Sequence, residues 1–293
     1  MRQYRFVTVD VFTATRFGGN PLAVFPDARG LSDAEMQAIA REFNLSETSF
    51  VLPPTDPGHS ARVRIFTPAT EMPFAGHPNV GTGFVLADRA VADRLVFEEI
   101  AGLVPITLRR GAAGAVTGAT IEAPQALTTG PEFAPALIAP CAGIEPWEIV
   151  TEAHRPIRAG CGNPFIIAEV TPAALTRAAP DSAETARAMR LDSALADRFA
   201  LYLYARDGAG LRARMFGAGL GVREDAATGS AAAPLAALLL SLGGGDAAAF
   251  DIAQGVEMGR PSLLATTARR AADGIRATVG GDCVPIMEGR LTL

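Results

Sequence analysis

A chain of 293 residues exceeds one average domain and falls short of three, and 49% hydrophobic residues with 21 Pro and 30 Gly describe a compact globular protein. All 26 positive charges are arginine, because no lysine occurs; this excludes a Schiff-base lysine, a pyridoxal phosphate anchor and a phosphate-binding P-loop built from the chain's own side chains. A formal net charge of -5 offers no broad basic surface for a polyphosphate backbone, so nucleic acid is not an expected partner.

Three cysteines, Cys141, Cys161 and Cys283, are odd in number and scattered, and Met1 to Phe12 lacks the charged-then-apolar layout of a secretory signal. A reduced, cytoplasmic protein is expected. The most apolar run, Ala231 to Leu242, is shorter than the ~20 residues needed to cross a bilayer and contains Pro234, so it reads as a buried helix and no membrane partner is expected.

In chain order, Tyr4 to Phe12 alternates and reads as a strand, Arg16 to Asn20 as a turn, and Pro21 to Phe25 as a second strand. Ser32 stands three residues before Glu35, the spacing of a reciprocal helix cap, which predicts a helix over 33–43 with Met36, Ile39, Ala40 and Phe43 on one face and Asn44 as a left-handed stop. Phe50 to Leu52 and the period-two segment Ala61 to Phe66 read as strands. The loop Thr67 to Pro78 then delivers into a helix over 79–92, with proline at its start where a missing N–H costs nothing. Strands are expected over 95–99 and 104–109.

The second half repeats the first. Gly19-Asn20-Pro21 returns as Gly162-Asn163-Pro164, Arg62-x-Arg64-x-Phe66 returns as Arg212-x-Arg214-x-Phe216, and the loop-then-helix returns as Glu224 to Ser230 leading into a helix over 231–242 that Gly243 closes. Three matched elements in the same order predict a duplicated domain, each copy a set of strands round one apolar helix. The copies are read as residues 1–118 and 119–279, with 280–293 a strand returning to the first.

A ligand cleft is expected between such copies. Both helix starts, Gly76-His77 and Gly229-Ser230, offer backbone N–H groups and a positive dipole end suited to a small carboxylate, a reading favoured over that of ordinary capped helices because glycine and a polar side chain recur at both. Glu47 lies on a short connection ahead of a buried strand; on the residues alone it suits either a solvated, idle glutamate or, if shielded, a carboxylate that passes a proton near neutral pH. Asp225 suits either a helix cap or chemistry, and His77 either a hydrogen-bonding role at the site or packing. No His, Cys, Asp and Glu grouping has metal-ligand spacing. Gly217-x-Gly219-x-Gly221 precedes Arg223-Glu224-Asp225 rather than a helix and reads as a loop, not a dinucleotide site. Cys161 reads as a small structural residue, since its counterpart is Gly18.

Together, Gly19-Asn20-Pro21, Asn44-Leu45-Ser46-Glu47, Phe66-Thr67-Pro68 with Pro73 to Pro78, Glu224-Asp225-x-Ala227-Thr228-Gly229-Ser230-Ala231, and Gln254-Gly255-x-x-Met258-Gly259-Arg260-Pro261-Ser262 resemble the phenazine-biosynthesis isomerase (PhzF-like) family across essentially the whole chain. The resemblance implies an α+β, diaminopimelate-epimerase-like fold of two pseudo-symmetric domains, each a β-barrel-like sheet around a central helix, with the active site between them. It also implies a homodimer and cofactor-free isomerisation of a small cyclic amino acid, trans-2,3-dihydro-3-hydroxyanthranilate. On that resemblance Glu47 is the proton shuttle, with His77, Asp225 and Ser230 assisting. Ser46, Gly76 and Gly229 join Ser230 as substrate-binding positions, and the backbone of Gly76 and Gly229 is expected to hold the carboxylate. Ala226 departs from the family's usual proline. Related epimerases carry two cysteines at places that match Ala75 and Ala226 here, which leaves a carboxylate mechanism. Two other functions stay open on the residues alone: isomerisation or epimerisation of another small amino or hydroxy acid, and a small-molecule binding protein without turnover.

Overall fold

The computed structural model describes residues 1–196, 199–218 and 222–293. They divide into two compact units, Met1–Pro124 with Thr278–Leu293, and Gln125–Ala277. Among the described residues no helix is long and apolar enough to cross a membrane.

The first unit runs β1 (Gln3–Val11), β2 (Asn20–Phe25), α1 (Asp33–Phe43), β3 (Glu47–Leu52), β4 (Ala61–Phe66), β5 (Glu71–Met72), α2 (Gly76–Val85), β6 (Arg94–Glu99), β7 (Gly102–Arg110) and β8 (Val116–Glu122). The final strand of the chain, Gly274–Thr292, joins it from residue 278 onward. Pairing runs β1 to β2, β3, β4, β6, β7, β8, the final strand and back to β1, which closes an eight-stranded barrel. Two pairs, β2 with β3 and β4 with β6, are parallel. In β4 the period of two sends Ala61, Val63 and Ile65 inward and Arg62 and Arg64 outward.

Helix α2 packs within this barrel, buried from Gly76 to Gly83. Its glycines permit the close approach: a Cβ on Gly81 would lie 2.6 Å from Leu22 Cδ2 and 2.8 Å from Val11 Cγ2. Helix α1 forms as its sequence predicts, with Ser32 and Glu35 capping each other and Asn44 left-handed at φ 50°. It lays Met36, Ile39 and Ala40 on an aromatic cluster in which Phe25 and Phe50 stack at 5.0 Å.

The second unit contains β9 (Thr128–Glu132), α3 (Pro135–Ile138), β10 (Ile149–Val150), β11 (Ile157–Gly160), β12 (Pro164–Val170), α4 (Pro172–Arg177), α5 (Ser182–Leu191), β13 (Leu201–Asp207), β14 (Gly210–Gly217), β15 (Val222–Asp225), α6 (Gly229–Gly243), β16 (Ala247–Gln254) and β17 (Ser262–Ala271). Strands pair in the order β9, β11, β12, β13, β14, β16, β17, again with two parallel pairs, β12 with β13 and β14 with β16. Helix α6 is apolar round its circumference and buried from Ala231 to Leu240. Pro234 stands inside it, where its missing N–H removes the helical bond to the Ser230 carbonyl.

The repeat is visible in side chains. Arg64 holds Glu71 through two bonds of 2.6 Å and lies 5.1 Å over Phe66; Arg214 holds Glu224 at 2.7 and 2.8 Å and lies 5.0 Å over Phe216. Each guanidinium thereby ties the strand before a central helix to the short strand, β5 or β15, that feeds it.

Several boundaries differ from the sequence reading. The second helix begins at Gly76, not Asn79, and its regular part ends at Val85, because Pro78 occupies the third helical position, where an N–H is also unpaired. Strand β3 begins at Glu47, since Glu47 to Phe50 pair in parallel with Leu22 to Phe25. Gly243 is helical and Gly244, at φ 77°, makes the left-handed stop. Gly217 ends β14; Gly219 and Gly221 of the expected loop lie outside the described residues.

Candidate active site

In the first unit the chain brings Ser46, Glu47 and His77 together through a residue to which sequence reasoning gave no individual role, Asn20. Parallel pairing sets Glu47, at the head of β3, opposite Leu22 of β2. Asn20 opens β2, and Gly76 and His77 are the first two residues of α2. The Ser46 hydroxyl donates to Asn20 Oδ1 at 3.1 Å, and Asn20 Nδ2 donates to His77 Nδ1 at 3.3 Å. With Nδ1 accepting, the imidazole proton sits on Nε2, which lies 3.6 Å from Glu47 Oε2, beyond hydrogen-bond range, and has no hydrogen-bond partner among the described residues. The signal for Asn20 was present in the quoted Gly-Asn-Pro motif, but a motif does not say which partner the amide takes.

Burial fixes the charge of this histidine. His77 is 4% exposed, and removal from water pushes its pKa down to about 3, so the ring is neutral at neutral pH. Glu47 keeps 18% of its side chain exposed. The pair is thus a carboxylate open to solvent on one side and a neutral N–H donor on the other.

In the second unit Asp225, Gly229 and Ser230 gather at the start of α6. Gly229 and Ser230 are its first two residues, the positions that Gly76 and His77 hold in α2. Thr228, the residue before the helix, donates its hydroxyl to Asp225 Oδ2 at 2.7 Å and accepts from Gln254 Nε2 at 3.0 Å. Gln254 also donates to the Asp225 carbonyl at 2.9 Å, while its Oε1 accepts from the Thr228 N–H at 3.2 Å and the Tyr202 hydroxyl at 3.1 Å. Ser262 Oγ donates to the Ala226 carbonyl at 2.9 Å. Gln254 and Ser262 therefore hold the segment that presents Asp225, although the sequence shows them only as motif letters.

The thiols stand apart from this chemistry. All three are buried, which pushes Cys141 up to about 11, Cys161 to about 12 and Cys283 upward as well. The residues immediately before the two central helices are Ala75 and Thr228, so by helix register Ala226 lies two residues further out than the match to Ala75 expected from sequence.

The family described as phenazine biosynthesis-like protein (PhzC-PhzF) matches residues 9–289. A trans-2,3-dihydro-3-hydroxyanthranilate isomerase of Pseudomonas aeruginosa is 39% identical over 297 residues, covering 99% of this chain and 100% of that protein. Among solved structures, a PhzF-family phenazine biosynthesis protein of Bacillus anthracis superposes with a TM-score of 0.87 at 23% identity, covering 100% of both chains. A predicted epimerase of Pseudomonas aeruginosa does so at 0.81 with 31% identity, covering 99% of both.

Proposed function

Because the chain belongs to the phenazine biosynthesis-like (PhzC-PhzF) family and is an isomerase of it, we propose that Glu47 is the acid and base of a proton shift on a small cyclic amino acid, trans-2,3-dihydro-3-hydroxyanthranilate. The observation that carries this reading is the Glu47 carboxylate, partly open to solvent, with the Nε2 of a neutral, buried His77 at 3.6 Å and without a hydrogen-bond partner of its own among the described residues. As carboxylate, Glu47 removes a proton from an activated carbon; the C–H electron pair moves into the conjugated ring. The resulting acid then returns the proton to another carbon on the same face, so one residue serves both steps.

His77 steadies the charge that Glu47 regains in the second step without itself titrating. The backbone N–H groups at the head of α2 suit the substrate carboxylate, because a helix start carries a positive dipole end and donors that the helix leaves unpaired. Ser46, Gly229 and Ser230 are assigned to substrate binding, and Asp225 to the substrate amine or hydroxyl. We also take the protein to be a cytoplasmic homodimer, an assembly that light scattering on the purified chain tests.

Incubation with trans-2,3-dihydro-3-hydroxyanthranilate in deuterated water is expected to convert it with deuterium entering a ring carbon. Glu47→Gln keeps the size and loses the proton-accepting charge; turnover should fall by at least about 100-fold, the lower end of general acid-base contributions, with binding retained. Full turnover by this variant, or tight binding without exchange in the wild type, overturns the assignment.

A further inference from the structure

Glu99, the last residue of β6, ends in a carboxyl group that the chemistry above does not use. The stem is partly exposed, yet both carboxyl oxygens are shut off from solvent, and among the described residues neither has a hydrogen-bond partner. Beside the carboxyl lies Asn79, the fourth residue of α2 and fully buried. Asn79 Nδ2 donates to the Ala75 carbonyl at 3.0 Å, which fixes the amide's orientation because a carbonyl only accepts. Asn79 Oδ1 is then a buried acceptor that lacks a donor. The Asn79 amide beside Glu99 favours the charged form, and burial outweighs it: both oxygens are out of water, with no cation and no donor within 3.5 Å among the described residues.

The second unit shows what the position requires. Strand β6 runs parallel to β4 with Glu98 opposite Arg62, and β16 runs parallel to β14 with Gln254 opposite Ala213. Since Arg62-x-Arg64 corresponds to Arg212-x-Arg214, one step along each ladder makes Glu99 the counterpart of Gln254. Gln254 is a neutral amide that ties the segment ahead of α6 to its own strand. In the first unit the Ala101 N–H, two residues after Glu99, likewise donates to the Pro73 carbonyl ahead of α2 at 3.0 Å.

We propose that Glu99 is a positioning residue held as the neutral acid by its burial beside the first turn of α2, leaving the positive end of that helix to the substrate's carboxylate and withdrawing that site when it ionises. The proposal rests on the reading above, in which the first residues of α2 receive that carboxylate. A helix start carries about half a positive charge, and a second anion beside its first turn competes for it. Isolated buried carboxylates take up a proton rather than remain charged, and burial pushes Glu99 up to about 8. Asp33 of α1, Arg62 and Arg64 of β4, Glu71 of β5 and Glu98 of its own strand line the adjoining concavity of about 460 Å³, and none is ion-paired to Glu99 among the described residues. From α2 the one titratable side chain is His77, which is neutral; opposite Glu99 on β7 stands Gly102.

The test uses the full chain with Glu99→Gln and Glu99→Met, two uncharged side chains of similar length. Infrared spectroscopy should show a buried protonated carboxyl in the wild type at neutral pH that both variants lack, and that the wild type loses above about pH 8. In the wild type the KM for dihydrohydroxyanthranilate and the Kd for anthranilate should rise about tenfold for one pH unit above that midpoint, with kcat unchanged; in both variants the rise should be absent. No carboxyl band at neutral pH, or a rise that the variants keep, overturns the proposal. Failure of the functional reading looks different: the wild type then neither turns over the substrate nor binds anthranilate at neutral pH, and the carboxyl band is untouched.

Discussion

Replacing Arg214 with methionine keeps the apolar stem and removes a charge that is 7% exposed. In the wild type its Nε and Nη2 hold both oxygens of Glu224 at 2.7 and 2.8 Å, and Nη1 donates to the carbonyls of Leu175 at 3.0 Å, Ala178 at 2.6 Å and Thr176 at 3.4 Å. The variant leaves a carboxylate that is 15% exposed without its cation and three carbonyls without this donor. Removing one partner of a buried pair costs about 3–5 kcal/mol, because the other charge stays buried alone. Arg64 is the internal control: it bonds to carboxylates only, and those are wetter, Glu71 at 23% and Asp33 at 82% exposed. Arg64→Met should therefore cost about 1–2 kcal/mol, between the surface and buried limits. Urea denaturation followed by circular dichroism, with hydrogen exchange assigning each transition to a unit, measures both. Equal losses for the two variants, or a loss below about 1 kcal/mol for Arg214→Met, would refute the claim that burial sets the difference.

Two further outcomes follow from packing and protonation. Gly81→Ala should destabilise by about 1–3 kcal/mol although alanine is the better helix former, since the new methyl meets Leu22 and Val11 below 3 Å; a more stable variant in urea would contradict the close packing of α2. The pKa of His77 is lower in the folded chain, about 3, than the ordinary 6.5, so its contribution to stability is full above 6.5 and is lost as pH falls toward 3. His77→Gln should flatten that acid limb in urea midpoints taken across the window, and an unchanged limb would assign it elsewhere.

Local signals were legible where they act alone. Ser32 and Glu35 cap α1 through bonds that span three residues, and nothing distant alters them. The duplication was legible because the Arg-x-Arg-x-Phe segment carries a full set of contacts, a carboxylate clamp and an aromatic face, in each unit. Chain ends of elements were harder. Pro78 allows a helix to start at it or one or two residues before it, and here the start falls at Gly76, with Gly76 and His77 buried inside the barrel. Glu47 looked like a loop residue because its ladder partners belong to β2, more than twenty residues away. Asn20, Gln254 and Glu99 needed the third dimension: a lone amide or carboxylate at a strand end is usually solvated, and only tertiary pairing turns these three toward buried polar groups.

The final strand has a consequence for how the chain is made. Residues 278–293 fill the place between β1 and β8, and Gln3 lies opposite Thr292. During synthesis β1 to β8 emerge well before residues 278–293 and stay an open sheet with two unpaired edges until that strand joins them. Residues 125–277 are continuous in the chain, so the whole second unit is made before the strand that completes the first. The unit that carries Glu47 and His77 is thus made in two pieces with the whole second unit between them, and a chain cut short before residue 278 would present the edges of β1 and β8 to any strand nearby.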